Sequence, residues 1–244
     1  MINSSVESSF PLTPVQQGML FHHVEQPESG VDIQQLVASL DGRFDTRLFL
    51  EAWRAVTILH ASLRTRFQWE DGGEPRQEIL SEVELLSEEE DLSSLPVGEQ
   101  HARITAFLQL ERRRGFDLAQ APLSRLRFFR LNESELRLVW TFHHIVLDSG
   151  SVRIVLSDVF TAYEALLSGN EVSLEASQPF SEFIESLEAR DEKKVGGQAF
   201  FREQLKGFTA VNELSDSAPE PMDLARPADR FFHERSFELS TELS

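Results

Sequence analysis

Apolar and polar positions alternate along this chain in two rhythms, one of about 3.6 residues and one of two. Pro11-Leu12-Thr13-Pro14 breaks the chain and then opens a helix, with Thr13 as N-cap and Pro14 at the first helical position. Val15, Met19, Leu20 and Phe21 give that helix an apolar face as far as about Glu25. Residues 32–40 read as a strand closed by Asp41-Gly42. A second helix starts at Phe44-Asp45, where Leu48, Leu50, Ala52, Trp53, Val56 and Leu59 recur at helical spacing. From 63 to 69 the chain alternates, with Leu63, Thr65, Phe67 and Trp69 on one side and Arg64, Arg66 and Gln68 on the other. Glu70-Asp71-Gly72-Gly73 is a hairpin turn, and 76–80 returns as its second strand.

Residues 98–114 form a helix with Ile104, Phe107, Leu108 and Leu110 on its buried side. Two strands follow, 123–131 and 135–143, joined by Asn132-Glu133-Ser134. Helices are predicted over 152–167, 179–190 and 197–205. Residues 212–229 hold three prolines and little periodicity and read as a linker, and 231–239 reads as a strand with no partner in this chain. The order implies an α/β (α+β) lobe, a mixed sheet flanked by helices over residues 1–207, followed by a tail over 208–244.

The segment His143-His144-Ile145-Val146-Leu147-Asp148-Ser149-Gly150 is where chemistry is expected. Val139, Thr141 and His143 share one face of the preceding strand, and Trp140, Phe142 and His144 the other. Such a strand is central and buried, so two histidines and an aspartate at its end are costly unless paired. A histidine near neutral pKa takes a proton from an amine or alcohol nucleophile. An aspartate held by an arginine braces a loop without transferring protons. Core histidines with satisfied ring nitrogens fit the same pattern. Metal binding does not follow, because the adjacent pair points to opposite faces and no other ligands have suitable spacing. His22-His23 lie about 100° apart on a helix and cannot both face one site; His60, His101 and His233 stand alone. Phosphate-binding and nucleophile-elbow motifs are absent.

Charge narrows the partners. The formal net charge is −18, which disfavours nucleic acid and anionic membranes. An acidic stretch, Glu82-Val83-Glu84 with Glu88-Glu89-Glu90-Asp91, and a basic one, Arg112-Arg113-Arg114 with Arg125, Arg127 and Arg130, read as solvated faces or as a patch meeting a partner of opposite charge. With no cysteine, disulfides and thiolate chemistry are excluded, and a cytoplasmic location is expected. No apolar run approaches membrane-spanning length, and the first seven residues lack secretory-signal character.

These residues resemble the condensation domains of nonribosomal peptide synthetases. His143-His144-x-x-x-Asp148-Ser149 is similar to the family's His-His-x-x-x-Asp-Gly core. Residues 11–22, Pro-Leu-Thr-Pro-Val-Gln-Gln-Gly-Met-Leu-Phe-His, are similar to its opening motif, and His60-Ala61-Ser62-Leu63-Arg64-Thr65-Arg66-Phe67 to its Arg-His-Glu-x-Leu-Arg-Thr-x-Phe motif. Gly115-Phe116-Asp117-Leu118 with Ala121-Pro122-Leu123, and Pro179 to Phe183 with Phe200-Phe201-Arg202, follow in the family's order. The resemblance implies one of two chloramphenicol-acetyltransferase-like lobes, with residues 212–244 crossing toward the C-terminal lobe. It implies carrier proteins as partners, their phosphopantetheine arms delivering donor and acceptor to a tunnel, a downstream adenylation domain, and no directly bound cofactor or metal. His144 would position or deprotonate the acceptor amine, His143 would be mainly structural, and Asp148 would hold the loop by a salt bridge to Arg64.

The chain departs from the pattern in three ways. Ser149 stands where the family has Gly, with Gly150 next, so a turn needing glycine's backbone freedom would shift by one residue or the activity would change. Leu59 and Ala61 replace the Arg and Glu of the second motif, leaving Arg64 as the arginine for the salt bridge. The length is about half that usual for the family, so a lone lobe is expected to be weakly active at best. Alternatives are an epimerization domain, a non-catalytic carrier-binding lobe, and an acyltransferase acting on a small alcohol or amine.

Overall fold

Thr13 stops the first strand and starts the first helix by a reciprocal bond. Its hydroxyl accepts from the Gln16 backbone N–H while the Gln16 side-chain oxygen accepts from the Thr13 backbone N–H, a complete capping box. In the computed structural model, which describes residues 4–41, 44–69, 73–176, 178–191 and 194–208, the elements run β1 (Val6–Pro11), α1 (Pro14–Glu25), β2 (Ile33–Asp41), α2 (Thr46–Leu59), a 3-10 turn (Ala61–Arg64), β3 (Thr65–Gln68), β4 (Arg76–Leu80), β5 (Ser87–Asp91), α3 (Val97–Arg114), β6 (Ser124–Asn132), β7 (Glu135–His143), α4 (Ser149–Leu167), α5 (Phe180–Asp191) and α6 (Lys194–Gln204).

Two sheets result, ordered β1-β4-β3 and β2-β7-β6-β5. All pairs are antiparallel except β5 with β6. In the larger sheet β7 is covered on both faces. Leu136, Leu138, Trp140 and Phe142, with Leu126 and Phe128 of β6, pack against Phe49, Ala52, Trp53 and Val56 of α2 and Val155, Val159 and Ala162 of α4. The opposite face sets Val139, Phe129 and Leu131 against Ile104 of α3. A third cluster joins Leu12, Leu20, Ile33, Phe67, Leu118 and Ile145. The two-residue period of β7 therefore feeds two helical layers at once.

The structure shows two elements that alternation does not reveal, β1 and β5. Part of the acidic run, Glu88 to Asp91, is β5, an edge strand parallel to β6 whose side chains stay largely exposed. Its glutamates meet the basic run inside the chain, Arg127 binding Glu88 and Glu90, Arg130 binding Glu89 at 2.8 Å, and Arg103 of α3 adding a second cation to Glu90 at 2.8 Å. Arg103 and Arg127 hold the Glu90 carboxyl below its ordinary pKa. Charged side chains on an edge strand also discourage pairing with another sheet.

The segment from 63 to 69 is half turn and half strand. The 3-10 turn rotates Arg64 inward, so a residue expected on the polar side is buried, 7% exposed. α4 begins at Ser149, three residues earlier than its apolar periodicity suggests, because Asp148 supplies the cap. Contacts divide the chain into two compact units, Met1–Arg190 and Asp191–Ser244. The expected linker at 212–229, the strand at 231–239, positions 70–72 of the hairpin turn and nearly all of the 208–244 tail lie outside the described residues. Among the described residues no helix is long and apolar enough to cross a membrane.

Trp53, fully buried and edge-on to Trp140 at a centroid separation of 5.0 Å, joins α2 to the large sheet. Trp53→Ala is expected to cost about 3–5 kcal/mol, read as a lowered urea midpoint at unchanged slope; a loss under about 1 kcal/mol would show that this contact does not hold the layers together.

Candidate functional site

Strand β7 ends between two clamps. The His143 N–H donates to the Leu123 carbonyl at 3.0 Å on one side, and the His144 N–H to the Asp32 carbonyl at 2.7 Å on the other. The chain then turns through Ile145, Val146 and Leu147 and enters α4 at Asp148. The two imidazoles share this end of the strand but have opposite surroundings.

His143 is 2% exposed. Its Nδ1 accepts from the Ile145 backbone N–H at 3.1 Å, so in the neutral ring the hydrogen sits on Nε2. Burial, reinforced by His23 and His144, pushes its pKa down to about 3. His143 is therefore a neutral ring at physiological pH. His23, half-buried on α1, stands edge-on to His143 and to Trp69. Burial lowers its pKa too, against the opposing pull of Asp117 and Asp32.

His144 has the opposite tautomer. Its Nδ1 lies 2.6 Å from the Leu147 carbonyl oxygen, which can only accept, so Nδ1 carries the hydrogen. Nε2 then holds the lone pair of the neutral ring, and among the described residues it has no hydrogen-bond partner. His144 lines a cleft of about 380 Å³ together with Asp148, Gln16 and Met19 of α1, Ile79 of β4 and Phe180 of α5. A smaller cavity, about 180 Å³, lies between α3 and β5–β6, lined by Arg114, Arg125, Arg127 and three glutamates, and it contains no histidine.

The expected salt bridge between Asp148 and Arg64 is not formed. Asp148 is the N-cap of α4: its Oδ1 accepts from the backbone N–H and the hydroxyl of Ser151, each at 2.7 Å. Those bonds, backbone N–H first, hold its carboxyl below the usual range. Arg64 spends its guanidinium elsewhere, on Glu7 of β1 at 2.7 Å and on the carbonyls of Thr57, Ile58 and Leu80. Arg64 thus stitches α2, β1 and β4 together, and the loop is braced by the helix cap instead.

Ser149 needs no glycine conformation. It occupies the first turn of α4, and neither Ser149 nor Gly150 has a positive φ. At 150 an added Cβ would lie 3.4 Å from Asp148 Oδ1, a close but ordinary contact, so the turn does not require glycine there either.

Sequence reasoning misses two residues of the cleft. Gln16 and Gln77 line the cleft and bond to each other; glutamine at the third helical position after a threonine cap is the available signal for Gln16. His60 Nε2 meets Asp158 Oδ2 at 2.7 Å and ties the end of α2 to α4. Among the described residues no cluster of three or more histidines and carboxylates could hold a metal.

The architecture is that of a chloramphenicol-acetyltransferase-like α/β lobe. It superposes on the starter condensation domain of rhizomide synthetase with a TM-score of 0.75 at 19% identity, covering 86% of this chain and 51% of that one. The first condensation domain of the CDA synthetase matches with a TM-score of 0.68 at 20% identity, over 76% and 46%. The profile of the family described as Condensation domain matches residues 6–243. Among relatives, a linear gramicidin synthase of Brevibacillus parabrevis is 41% identical over 213 residues, and bacitracin synthase 1 of Bacillus licheniformis 32% over 209. These alignments take in 87% and 86% of this chain but 3% and 4% of those proteins. The chain belongs to the condensation-domain family. It spans about half the length of the solved domains it matches and a few per cent of the synthetases.

The buried neutral ring makes stability depend on pH. In the unfolded chain a histidine protonates below about 6.5, whereas folded His143 stays neutral down to about 3. Between those values the unfolded state binds the extra proton, so stability falls as pH falls, by at most about 1.4 kcal/mol per pH unit from this residue. His143→Gln, whose amide oxygen can accept from Ile145, is expected to flatten the urea-denaturation profile between about pH 4.5 and 6.5. A profile as steep as the wild type's would mean the ring is not kept neutral.

Proposed function

We propose that this lobe belongs to an amide-forming condensation site, in which a carrier-bound acyl or peptidyl thioester is joined to a carrier-bound aminoacyl group with His144 as the group that receives the amine's proton. What supports the role is the arrangement of His144: one ring nitrogen is tied to Leu147 and the other is left with a lone pair, in a residue lining the cleft.

The acceptor amine attacks the donor thioester carbonyl. A C–N bond forms, the C–S bond breaks, and the thiol of a phosphopantetheine arm leaves. Nε2 takes the proton that the nitrogen sheds and returns it to the departing sulfur, so the ring ends as it began. Leu147 fixes the tautomer that makes Nε2 the accepting atom. Asp148 holds the start of α4 and places a negative charge near the ring without exchanging a proton. His143 keeps the turn in shape through Ile145. The C-terminal lobe, the carrier proteins and an adenylation domain complete this reading.

In the full-length protein, His144→Ala is expected to lower amide formation between carrier-loaded donor and acceptor by about 10²- to 10⁴-fold, with His143→Gln losing far less. Turnover unchanged in His144→Ala would contradict the proposal. Exchange of solvent deuterium into the Cα position of a carrier-bound aminoacyl group, without amide product, would point to epimerization instead.

A further inference from the structure

Two buried glutamines meet at the floor of the cleft. Gln16 on α1 and Gln77 on β4 lie 61 positions apart and are 8% and 3% exposed. Their carboxamides bond reciprocally: Gln16 Nε2 donates to Gln77 Oε1 at 3.2 Å, and Gln77 Nε2 donates to Gln16 Oε1 at 3.1 Å. The backbone fixes which way each amide points. Gln16 Oε1 accepts from the Thr13 N–H at 3.0 Å, and Gln16 Nε2 donates to the Ile145 carbonyl at 3.2 Å. Gln77 Nε2 donates to the Pro11 carbonyl at 3.0 Å. Flipping either amide would set oxygen against a carbonyl or nitrogen against an N–H.

We infer that this glutamine clasp positions the catalytic loop: Gln16, locked by Gln77, holds the Ile145 carbonyl and so sets where the neighbouring His144 ring sits in the cleft. The inference rests on the role given to His144 above.

Both donors and both accepting positions of Gln16, and both donors of Gln77, are used within the clasp and its backbone partners. A pair so nearly saturated holds structure rather than binds ligand. Its reach is specific. The Ile145 peptide lies between His144, whose N–H is anchored to Asp32, and Leu147, whose carbonyl ties the His144 ring. Ile145 also contributes its side chain to the apolar cluster beneath, beside Leu12, Leu20 and Phe67. Side chain and carbonyl of one residue are thus gripped from two directions, the apolar grip setting depth and the glutamine grip setting rotation. Displacing a reacting group by about 1 Å can cost about 100-fold in rate, so a lost grip should appear in turnover rather than in affinity.

The test is a cycle of variants in the full-length protein, with kcat and KM measured for carrier-loaded donor and acceptor. Gln16→Met fills similar space without the amide. It is expected to lower kcat by about 10- to 100-fold with KM changed by less than about 3-fold. Gln77→Met leaves Gln16 able to reach Ile145 but unlocked, and should lower kcat by a smaller factor. The double variant should be no slower than Gln16→Met alone, because the two residues act as one unit.

Val56→Ala, on the core-facing side of α2 and away from the cleft, controls for lost stability and should leave kcat unchanged. Equal kcat losses in Val56→Ala and Gln16→Met would overturn the inference, as would Gln16→Met turnover within about 2-fold of wild type. Should Gln16→Met fail to fold, the Gln77→Met kcat decides: a several-fold loss at constant KM supports the clasp, and no loss overturns it. His144→Ala, measured alongside, separates the two claims. Turnover retained there sinks the reading of the site itself; turnover lost there but kept in both glutamine variants sinks the clasp alone.

Discussion

One hydrogen bond governs how this site can work: the 2.6 Å contact between His144 Nδ1 and the carbonyl of Leu147, three residues on. A carbonyl oxygen cannot donate, so the bond decides which nitrogen carries the hydrogen. It also curls the chain between the strand end and the helix start. The neighbouring His143 is fixed in the opposite tautomer by the Ile145 N–H. Adjacent residues of the same type thereby acquire different characters. One ring is sealed, with its pKa driven down to about 3; the other borders a cleft with a nitrogen in reserve.

The rest of the lobe serves that turn. β7 can be apolar on both faces because α2 and α4 cover one side and α3 the other. Its end is held by β2 and by the segment entering β6, through the backbone bonds from His144 and His143. Asp148 then opens α4 and stays ionised because two Ser151 donors favour its charged form. A second chain of bonds comes from the other sheet, through Gln77 and Gln16 to the Ile145 carbonyl. The Thr13 capping box that starts α1 is part of the same chain, since one Gln16 oxygen serves both.

Much of this is legible in the sequence where pattern and chemistry agree. Strands β4 and β7 and helix α1 fall at their expected bounds, because alternation, a threonine cap and Pro14 are local signals. β5 is not legible: Ser-Glu-Glu-Glu-Asp has no apolar residue, and its partners, the β6 backbone and the side chains of Arg127 and Arg130, lie about forty positions later. The hidden strand β1 has a further consequence. Alternation places Arg64 on a polar face and family likeness assigns it to Asp148, but Glu7 of β1 takes the guanidinium first. Ser149 looks like a strained substitution only until α4 is seen to begin there in ordinary helical backbone.

Nuclear magnetic resonance of protein labelled with ¹⁵N-histidine reads directly whether Leu147 holds His144 as the Nδ1–H tautomer with Nε2 as the open nitrogen. Long-range proton–nitrogen correlations above the histidine pKa should show His144 Nδ1 bearing hydrogen and Nε2 bearing a lone pair, with the reverse assignment for His143. A His144 ring protonated at Nε2 under those conditions would leave the cleft without its proton acceptor and overturn the mechanism.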